Sequence, residues 1–550
     1  MPAMCRCYRG PTLSPRSSWR PYSPHRSPLW RIEISADDTA GRPTVLRAVK
    51  KGSKAHSSVE TPREVTSPAG HRLSVAAPLY EGAVTATDYD VVVIGSGVGG
   101  YTAAIRAGQL GLRTACVEGA AVLGGTCLNV GCIPSKALLH ASEMFDLART
   151  KFAGLGVKVS PELDLQTMMS QKQASVDALG RGIEYLFRKH KVTRVNGWGE
   201  FTAPGLINVR QADGTETQLK ARHTVIATGS IPTALPNVKV DQRRIVDSTG
   251  ALSLREPPRR LLVIGAGSIG LEIGSIWRRL GAQVEVVEYL DRIAPGADEA
   301  VSSALQRILE KQGFKFRLMT EVLESRVASD AVLVTVRGRS NSKPSTIEAD
   351  IVLVATGRQP FTGALGLERI GLQLDQRGFV STHAFQTDVA GVWAIGDVTG
   401  GAMLAHKAED EGVACVELLA GRAGHVDYDI IPSVIYTSPE AAWVGQTEAQ
   451  VKARRQPYKV GRFPFSANSR AKLAHEAEGF VKVISSLDDY RILGVHMIGP
   501  QVSELIGEAC VAMEFHADSE DVARTCHPHP TRSEALRQAS MDVDGWMTQA

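Results

Sequence analysis

The chain has 550 residues, of which 43% are hydrophobic and 22% charged, a composition typical of a globular protein of about three or four domains. No apolar run reaches the ~18 residues of a membrane span. The eight cysteines are too few and too scattered for a secreted disulfide scaffold, so we expect a reducing compartment.

The net charge of +4 divides unevenly between two regions. Residues 1–87 carry 13 Lys or Arg against 6 Asp or Glu, a balance of +7, and residues 88–550 carry 49 against 52, a balance of −3. The body of the chain therefore has no basic surplus, and it lacks the basic stripe with interleaved aromatic residues that indicates nucleic-acid binding.

The first 87 residues are predicted to be a targeting leader. Residues 1–32 contain six arginines, several serines and no acidic residue, which is the composition of a transit peptide. The alternative is a disordered tail or a misassigned start codon. Six prolines before position 30 would break a long amphipathic helix, which leaves a plastid address open beside a mitochondrial one.

A buried strand, a tight glycine turn and a helix start are predicted from residue 90 onward. Gly95, Gly97 and Gly100 form the turn, and Glu118 lies eighteen residues after the last glycine, at the end of a second apolar strand. Such glycines let the backbone approach a pyrophosphate at a helix N-terminus, and the acid accepts hydrogen bonds from a ribose diol. Strand, helix and acid together predict a dinucleotide site, whereas a lone glycine pattern indicates only a turn.

Two cysteines, Cys127 and Cys132, follow this turn at a short spacing. In a regular helix five residues at ~1.5 Å each separate the α carbons by ~7.5 Å, beyond the ~7 Å limit for a disulfide, so a bridge requires an irregular turn. Gly131 permits one, and Pro134 predicts the first turn of a helix. At that helix N-terminus, with Lys136 one turn further on, Cys132 is expected to have a lowered pKa.

Three interpretations of the cysteine pair stay open from the residues alone: a redox-active dithiol, two ordinary buried residues, and half of a zinc site. Zinc requires four ligands, which Cys526, His527 and His529 would have to complete from the far end of the chain. In a reducing compartment a cycled dithiol is favoured over a permanent structural bridge.

The dinucleotide fingerprint recurs at an offset of 170 residues. Gly265, Gly267 and Gly270 repeat the three glycines, and Glu288 repeats the acid. Because a carboxylate there repels the 2′-phosphate of NADP, the second site is predicted to prefer NAD. The alternative is that Glu288 is only a solvated charge at a strand end.

Three later strands are predicted to end near a cofactor. Two of them close on Ala-Thr-Gly, at residues 227–229 and 355–357, and each follows one fingerprint. The third, at 392–397, ends in Asp397, whose carboxylate would accept hydrogen bonds from a polyol chain. Near the C-terminus His529 precedes Glu534 by five residues, a spacing at which the carboxylate orients the ring as a proton acceptor. The alternative there is a surface histidine in a proline turn.

These motifs together resemble the flavin-dependent pyridine nucleotide disulfide oxidoreductases over roughly residues 88–545. The resemblance rests on residues 124–136, 396–397, 403–406 and 529–531. It implies an α/β fold with two Rossmann-like dinucleotide-binding domains, for FAD and NAD, and an α+β C-terminal dimerisation domain. The implied boundaries are 1–87 for the leader, 88–232 and 361–431 for the FAD-binding parts, 233–360 for the NAD-binding domain and 432–550 for the dimerisation domain.

The resemblance also implies roles for individual residues. FAD would be held by Gly95, Gly97, Gly100, Glu118, Lys136, Gly199, Thr228, Gly229, Ser230, Asp397, Met403, Leu404, Ala405 and His406. NAD would be held by Gly265, Gly267, Gly270, Glu272, Glu288, Val322 and Gly357. Cys132 would lie against the flavin, Cys127 would exchange with the substrate, and Lys136 would pair with Glu272. His529 would be the base and Glu534 its orienting partner, acting in the site of the other subunit of a homodimer, and no metal is implied.

The implied activity is oxidation of protein-bound dihydrolipoamide with reduction of NAD, as the E3 component of 2-oxo acid dehydrogenase or glycine-cleavage complexes. The implied partners are a second copy of the chain and lipoyl-bearing carrier domains, without nucleic acid or membrane. A glutathione- or mercuric-reductase-like enzyme and a catalytically silent scaffold are the alternatives. Segments 291–296 and 309–316 resemble the mitochondrial and proteobacterial branch, which favours the mitochondrial matrix over the plastid stroma.

The chain departs from the family pattern at two places. Pro528 and Arg532 stand beside the base where Ala and an apolar residue are more usual, and they are expected to shift it slightly and to add positive charge. Gly119, Ala120 and Ala121 replace a charged segment after the first fingerprint and are expected to loosen adenosine contacts.

Overall fold

A computed structural model describes residues 88–340 and 343–549. The predicted leader, residues 1–87, lies outside the described residues. Within the described ranges, no helix combines the length and the apolar character that a membrane crossing requires.

The first unit is a mixed sheet covered by long helices. Its strands are β1 (Tyr89–Ile94), β2 (Thr114–Glu118), β3 (Thr193–Asn196), β4 (Trp198–Ala203), β5 (Leu206–Arg210), β6 (Glu216–Ile226) and β7 (Ser230–Pro232), and its helices are α1 (Val98–Gln109), α2 (Gly125–Val130), α3 (Cys132–Thr150) and α4 (Leu165–Lys189). The sheet order is β3-β2-β1-β6-β5-β4. Strands β3, β2, β1 and β6 are parallel, and β4 and β5 continue the sheet as an antiparallel meander.

The second unit repeats the parallel half of the first. It contains β8 (Ile245–Val246), α5 (Ser248–Ala251), β9 (Arg260–Ile264), α6 (Ser268–Arg279), β10 (Gln283–Val287), α7 (Glu299–Lys311), β11 (Lys315–Arg317), β12 (Thr320–Val327), β13 (Val332–Gly338), β14 (Ser345–Ala349), β15 (Ile351–Val354) and β16 (Arg358–Pro360). The order β11-β10-β9-β15-β8 is parallel, while β12, β13 and β14 form a separate antiparallel sheet. Apolar runs in β9 and β15 are buried because helices α6 and α7 cover one face of the parallel sheet and the antiparallel sheet β12–β14 covers the other.

The chain then returns to the first unit. Strand β16 pairs antiparallel with β7, β17 (Val392–Ala394) joins the first sheet beside β6, and α8 (Ala405–Leu419) packs on α1. The two helices meet backbone to backbone, since a Cβ on Gly99 would lie 2.9 Å from the Ala408 carbonyl oxygen and one on Gly412 would lie 2.7 Å from that of Gly99.

The C-terminal unit is an antiparallel sheet with helices on it. It contains β18 (Ser433–Ile435), β19 (Glu440–Gly445), α9 (Glu448–Ala453), β20 (Tyr458–Pro464), α10 (Ser469–Leu473), β21 (Phe480–Ser486), β22 (Ile492–Gly499), α11 (Val502–Glu514), α12 (Ser519–Arg524) and α13 (Glu534–Asp542), in the sheet order β18-β19-β22-β21-β20. Short 3-10 turns occupy Phe152–Leu155, Leu367–Ile370, Gly396–Thr399, Tyr428–Ile430 and Phe465–Ala467. The predicted fold class, two Rossmann-like units and an α+β C-terminal domain, is confirmed.

Candidate active site

The first glycine loop joins β1 to α1, and its three glycines meet different constraints. Gly95 has φ +101°, and a Cβ there would lie 2.4 Å from the Ala227 carbonyl oxygen. A Cβ on Gly100 would lie 2.0 Å from the Gly95 carbonyl oxygen, whereas one on Gly97 meets no atom within 4 Å. No described side chain caps α1, whose N-cap is Gly97. This open face and the helix amide groups behind it fit a pyrophosphate.

Glu118 closes the loop from the end of β2. Its Oε2 accepts hydrogen bonds from the Ser96 amide at 3.0 Å and from the Ser96 hydroxyl at 2.6 Å. Sequence reasoning missed Ser96, although its position between the first two glycines was a usable signal. The next residue, Gly119, has a physical reason to be glycine, because a Cβ there would lie 2.6 Å from the Trp198 ring. Ala120 donates its amide to Glu118 Oε1 at 2.8 Å.

The second glycine loop repeats this geometry. Gly265 has φ +104°, and a Cβ there would lie 2.4 Å from the Ala355 carbonyl oxygen. A Cβ on Gly270 would lie 2.1 Å from the Gly265 carbonyl oxygen, and one on Gly267 again meets nothing within 4 Å. Glu288 is only 8% exposed and its Oε2 accepts from the Ala266 amide at 2.6 Å, so the alternative of a solvated strand-end charge is wrong.

The two cysteines lie on consecutive helices. Cys127 is in α2, Cys132 is the first residue of α3, and Gly131 alone separates the helices with φ −133° and ψ −111°. The predicted irregular turn is therefore confirmed, and α3 begins at Cys132, two residues before Pro134. Both thiols are free and partly buried.

The two thiols differ in acidity because they share a hydrogen bond. The Cys127 thiol donates to the Cys132 sulfur, and this bond, with help from the charge of Lys136, lowers the pKa of Cys132 to about 7. The same bond and burial raise the pKa of Cys127. Cys132 is thus prepared as a thiolate in the direction predicted, while Cys127 keeps its proton.

Lys136 connects the thiols to the second unit. Its Nζ lies 2.8 Å from Glu272 Oε2, as predicted, and 4.4 Å from the centroid of the Tyr436 ring. Burial lowers the pKa of Lys136, but the Glu272 carboxylate outweighs it, so the net shift is upward. Glu272 Oε1 accepts from the Tyr436 amide at 3.0 Å. Sequence reasoning missed Tyr436, since nothing near it in the chain indicates this contact.

A second polar cluster lies at the ends of β7, β16 and β17. The Ser230 hydroxyl donates to Asp397 Oδ2 at 2.5 Å, and Arg358 donates its Nε–H to the same hydroxyl at 2.7 Å. The Thr228 hydroxyl donates to the Phe361 carbonyl at 2.6 Å. Ser230 and Asp397, predicted from distant segments, are therefore brought together, and Arg358 was missed.

The remaining predicted binding residues are placed around these loops. Met403 and Leu404 precede α8, Ala405 and His406 begin it, and His406 Nε2 lies 2.8 Å from the Pro432 carbonyl oxygen. Gly229 has φ +71°, and Gly357, with φ +117°, accepts the Thr233 amide at 3.0 Å. Gly199 on β4 faces the side chains at the ends of β1 and β2, and Val322 on β12 is half-buried. The contacts of these residues with a cofactor stay predictions.

The C-terminal histidine is oriented by a buried carboxylate. His529 Nδ1 lies 2.9 Å from Glu534 Oε1, and Glu534 Oε2 accepts the Thr531 amide at 2.9 Å. Burial raises the pKa of Glu534, but the Thr531 amide and His529 outweigh it, so the net shift is downward. The His529 side chain is 62% exposed, so an oriented imidazole projects from this chain.

Arg532 behaves differently from the expectation for it. Its guanidinium pairs with the Glu476 carboxylate and donates to Gln501 Oε1 at 3.0 Å. The positive charge that we expected beside the base is therefore offset by Glu476. The effect of Pro528 on the position of the base stays a prediction.

The segment proposed as the second half of a zinc site has other contacts. His527 lies 2.6 Å from Glu508 Oε1, which raises its pKa, and Cys526 is exposed. In the part of the chain that the structure describes, no group of three or more His, Cys, Asp or Glu side chains is arranged to hold a metal ion.

Comparison with known proteins identifies a family. The family described as pyridine nucleotide-disulphide oxidoreductase matches residues 89–412, and its dimerisation domain matches residues 431–540. The chain is 58% identical to dihydrolipoyl dehydrogenase 3 of Pseudomonas putida, over 84% of this chain and 99% of that protein. It is 54% identical to the mitochondrial dihydrolipoyl dehydrogenase of Pisum sativum, over 82% of this chain and 91% of that protein. The solved structure of LpdA from Mycobacterium tuberculosis superposes with a TM-score of 0.77 at 26% identity, over 82% of this chain and 98% of that one.

Proposed function

The chain belongs to the pyridine nucleotide-disulphide oxidoreductase family, and we propose that it works in this family as a dihydrolipoyl dehydrogenase, the E3 component of 2-oxo acid dehydrogenase complexes. It oxidises dihydrolipoamide to lipoamide and reduces NAD to NADH. The observation that carries the proposal is the placement of Cys127 and Cys132 on either side of the break at Gly131. Gly125, just before them, lies against Gly97 of the first loop, and Lys136, just after them, pairs with Glu272 of the second unit.

The dithiol does its work by exchange of bonds. With Cys127 and Cys132 joined as a disulfide, a lipoyl thiolate attacks the Cys127 sulfur, a mixed disulfide forms, and Cys132 leaves as a thiolate. The second lipoyl thiolate then attacks the lipoyl sulfur of the mixed disulfide, which closes the lipoyl ring and releases Cys127 as a thiolate. His529, oriented by Glu534, accepts the proton from the lipoyl thiol, and Lys136 stabilises the thiolate of Cys132. When bound, FAD supplies a carrier for the electron pair between the dithiol and NAD.

The two cofactors of the family, FAD and NAD, are assigned to the two loops. The first unit, with Gly97 open, Glu118 behind it and Asp397 beside Ser230, offers the donors and acceptors that FAD requires. In the second unit the buried Glu288 favours NAD over NADP. The boundaries that we assign are 88–232 with 361–431, 233–360, and 432–550.

The assembly follows from the dimerisation domain that the chain carries. A homodimer is the functional unit in this proposal, with the exposed His529 of one subunit serving the dithiol of the other. Lipoyl-bearing carrier domains are the proposed substrates. Residues 1–87 are proposed to direct the chain to the mitochondrial matrix, with the plastid stroma as the alternative. A fluorescent protein carrying these residues should collect in mitochondria, and its retention in the cytosol would contradict the address.

The function is tested by comparing two reactions of the purified flavoprotein. Dihydrolipoamide with NAD should turn over, and oxidised glutathione with NADPH should not. Turnover of the second pair alone would favour a glutathione-reductase-like enzyme. Purified protein without flavin absorbance, or with flavin that dihydrolipoamide leaves unchanged, would favour a silent scaffold.

A further inference from the structure

Two oppositely charged side chains form a buried pair on α8, outside the residues assigned above. Lys407 and Glu411 are one helical turn apart, Lys407 Nζ lies 2.9 Å from Glu411 Oε1, and both side chains are only 2% exposed. Burying two charges costs desolvation energy that their mutual attraction seldom repays, and an apolar pair of the same volume often serves stability equally well. The pair therefore calls for a further explanation.

The pair forms hydrogen bonds with both backbone groups of one residue outside the helix, Gly396. Glu411 Oε2 accepts the amide of Gly396 at 2.7 Å, and Lys407 Nζ donates to the carbonyl oxygen of the same glycine at 3.3 Å. The Tyr428 hydroxyl donates to Glu411 Oε1 at 2.9 Å and so fixes the carboxylate. A buried amide and a buried carbonyl each require a partner; here Glu411 supplies the acceptor and Lys407 the donor.

Gly396 immediately precedes Asp397, whose carboxylate accepts the Ser230 hydroxyl at 2.5 Å. Gly396 has φ +78°, so the backbone turns sharply at the point that the ion pair holds. The same helix, α8, lies backbone to backbone on α1 through Gly99 and Gly412, and α1 begins at the first glycine loop. The ion pair therefore fixes the spacing between that loop and the Asp397 carboxylate.

We propose that Lys407, Glu411 and Tyr428 are positioning residues that hold Asp397 in place for the flavin nucleotide. The proposal rests on the assignment of FAD to the first unit in the proposed function and extends it to residues that would not touch the cofactor. It predicts that loss of the pair raises the Kd for FAD, whereas loss of another buried ion pair lowers the melting temperature without this effect on the Kd.

The experiment measures FAD affinity in the full-length chain. Holoprotein is purified, FAD is removed, and the apoprotein is titrated with FAD while quenching of the flavin fluorescence is followed. The variants are Lys407→Met, Glu411→Gln and Tyr428→Phe, and the melting temperature of each apoprotein is measured in parallel.

The matched control is Lys482→Met. Lys482 is a second lysine that is only 5% exposed, and it pairs with Asp298 at 2.8 Å and with Glu448 at 2.7 Å, within the C-terminal unit and the second unit. Its loss leaves the buried Asp298 carboxylate without its ion-pair partner, while Glu448 keeps Lys452, at a place that does not contact Gly396. It therefore reports the effect on FAD affinity of breaking a buried ion pair as such.

The expected result is a selective loss. Lys407→Met and Glu411→Gln should raise the Kd for FAD by about ten- to a hundredfold, and Tyr428→Phe by about threefold, because charge-assisted and neutral hydrogen bonds differ in this way. Lys482→Met should lower the melting temperature and leave the Kd within about twofold of wild type. An unchanged Kd in Lys407→Met and Glu411→Gln, or an equal rise in Lys482→Met, would overturn the proposal.

Two further outcomes are distinguishable. Where Lys407→Met and Glu411→Gln do not fold, Tyr428→Phe decides, because it keeps both charges, and an unchanged Kd there overturns the proposal. Wild-type protein that binds FAD but does not oxidise dihydrolipoamide would contradict the proposed substrate and leave the test of the positioning residues valid. Wild-type apoprotein that takes up no FAD would end both proposals.

Discussion

The two glycine-loop units have the same backbone arrangement up to Gly124 in the first unit and Ala294 in the second, and they differ after these residues. In the first unit the Gly124 amide donates to the Ser96 carbonyl at 3.0 Å, and in the second the Ala294 amide donates to the Ala266 carbonyl at 2.9 Å. The donors Gly124 and Ala294 are 170 residues apart, and so are the acceptors Ser96 and Ala266, which is the same offset that relates the glycines and the acids. The duplicated frame thus includes the segment that crosses back over each loop.

Beyond this bond the units take up different tasks. After Gly124 come Cys127 and Cys132 with helix α3. After Ala294 comes Asp298, which caps α7 through the Ala300 amide at 3.0 Å and pairs with Lys482 of the C-terminal sheet. The comparison teaches that one frame builds both glycine loops, and that the residues after the crossing segment carry the dithiol in the first unit and a structural attachment in the second.

The largest difference in activity is expected between a variant of Cys132 in the first segment and a variant of Asp298 in the matching segment of the second unit. Cys132→Ser should lower the rate of dihydrolipoamide oxidation by about a thousandfold or more, because no disulfide can form, with flavin retained. Asp298→Asn, in the matching segment, should keep the rate within about twofold and lower the melting temperature. Steady-state assays check both. A Cys132→Ser variant with more than about a tenth of wild-type activity would contradict the assigned role.

The glycine loops give a paired test of which cofactor lies where. Gly100→Ala places a Cβ 2.0 Å from the Gly95 carbonyl oxygen, and Gly270→Ala places one 2.1 Å from that of Gly265. Such overpacking costs about 1–3 kcal/mol. Gly100→Ala should weaken FAD binding by about tenfold or more, and Gly270→Ala should instead raise the KM for NAD by a similar factor. Flavin content and NAD kinetics measure the two, and loss of flavin from Gly270→Ala would reverse the assignment.

A smaller effect is expected at the acids that end the two frames. Glu288→Ser removes the charge that disfavours a 2′-phosphate, so the ratio of kcat/KM for NADP to that for NAD should rise by about tenfold. Glu118→Ser, with flavin bound, should leave this ratio unchanged and so serves as the control. A ratio that responds to Glu118→Ser and is indifferent to Glu288→Ser would place NAD in the first unit.

The smallest expected change is a pH dependence that separates two cysteines of the first unit. With its pKa lowered to about 7, Cys132 is a thiolate above that pH and loses its charge below it. Cys116, inside the shared frame on β2, has its pKa raised by burial. In the reduced protein, alkylation of Cys132 by iodoacetamide should therefore be half-maximal near pH 7, and Cys116 should stay unmodified. Mass spectrometry measures both, and a Cys132 midpoint near 9, the ordinary value, would contradict the account.

The features that could be predicted from the sequence are those formed by residues close together in the chain. The glycine loops, the acids Glu118 and Glu288, and the break at Gly131 each depend on neighbours within about twenty residues, for which helix and turn geometry are sufficient. The pairing of Lys136 with Glu272 followed from the resemblance alone.

The features that the sequence did not predict join segments far apart in the chain. Tyr436 covers Lys136, Arg358 holds Ser230, and Glu476 offsets the charge of Arg532. The contacts of Tyr436 and Arg358 depend on how the C-terminal and second units dock on the first. The contact of Glu476 with Arg532 joins two segments of the C-terminal unit that are 56 residues apart. No periodicity or local spacing in the sequence records either arrangement. The contacts of Lys407 and Glu411 with Gly396 span only 11 and 15 residues, but they depend on how helix α8 packs back on the turn before it, and helix and turn geometry alone do not predict that packing, although Lys407 directly follows the predicted binding segment 403–406.

The central claim is that the dithiol after the first frame exchanges electrons with a flavin bound in that frame. The most direct measurement is an anaerobic titration of the holoprotein with dihydrolipoamide, followed by visible absorbance, for wild type and Cys132→Ser. The account predicts a long-wavelength absorbance from the Cys132 thiolate beside the flavin in the wild type and its loss in the variant. The same absorbance in both proteins, or no response of the wild type to dihydrolipoamide, would contradict it.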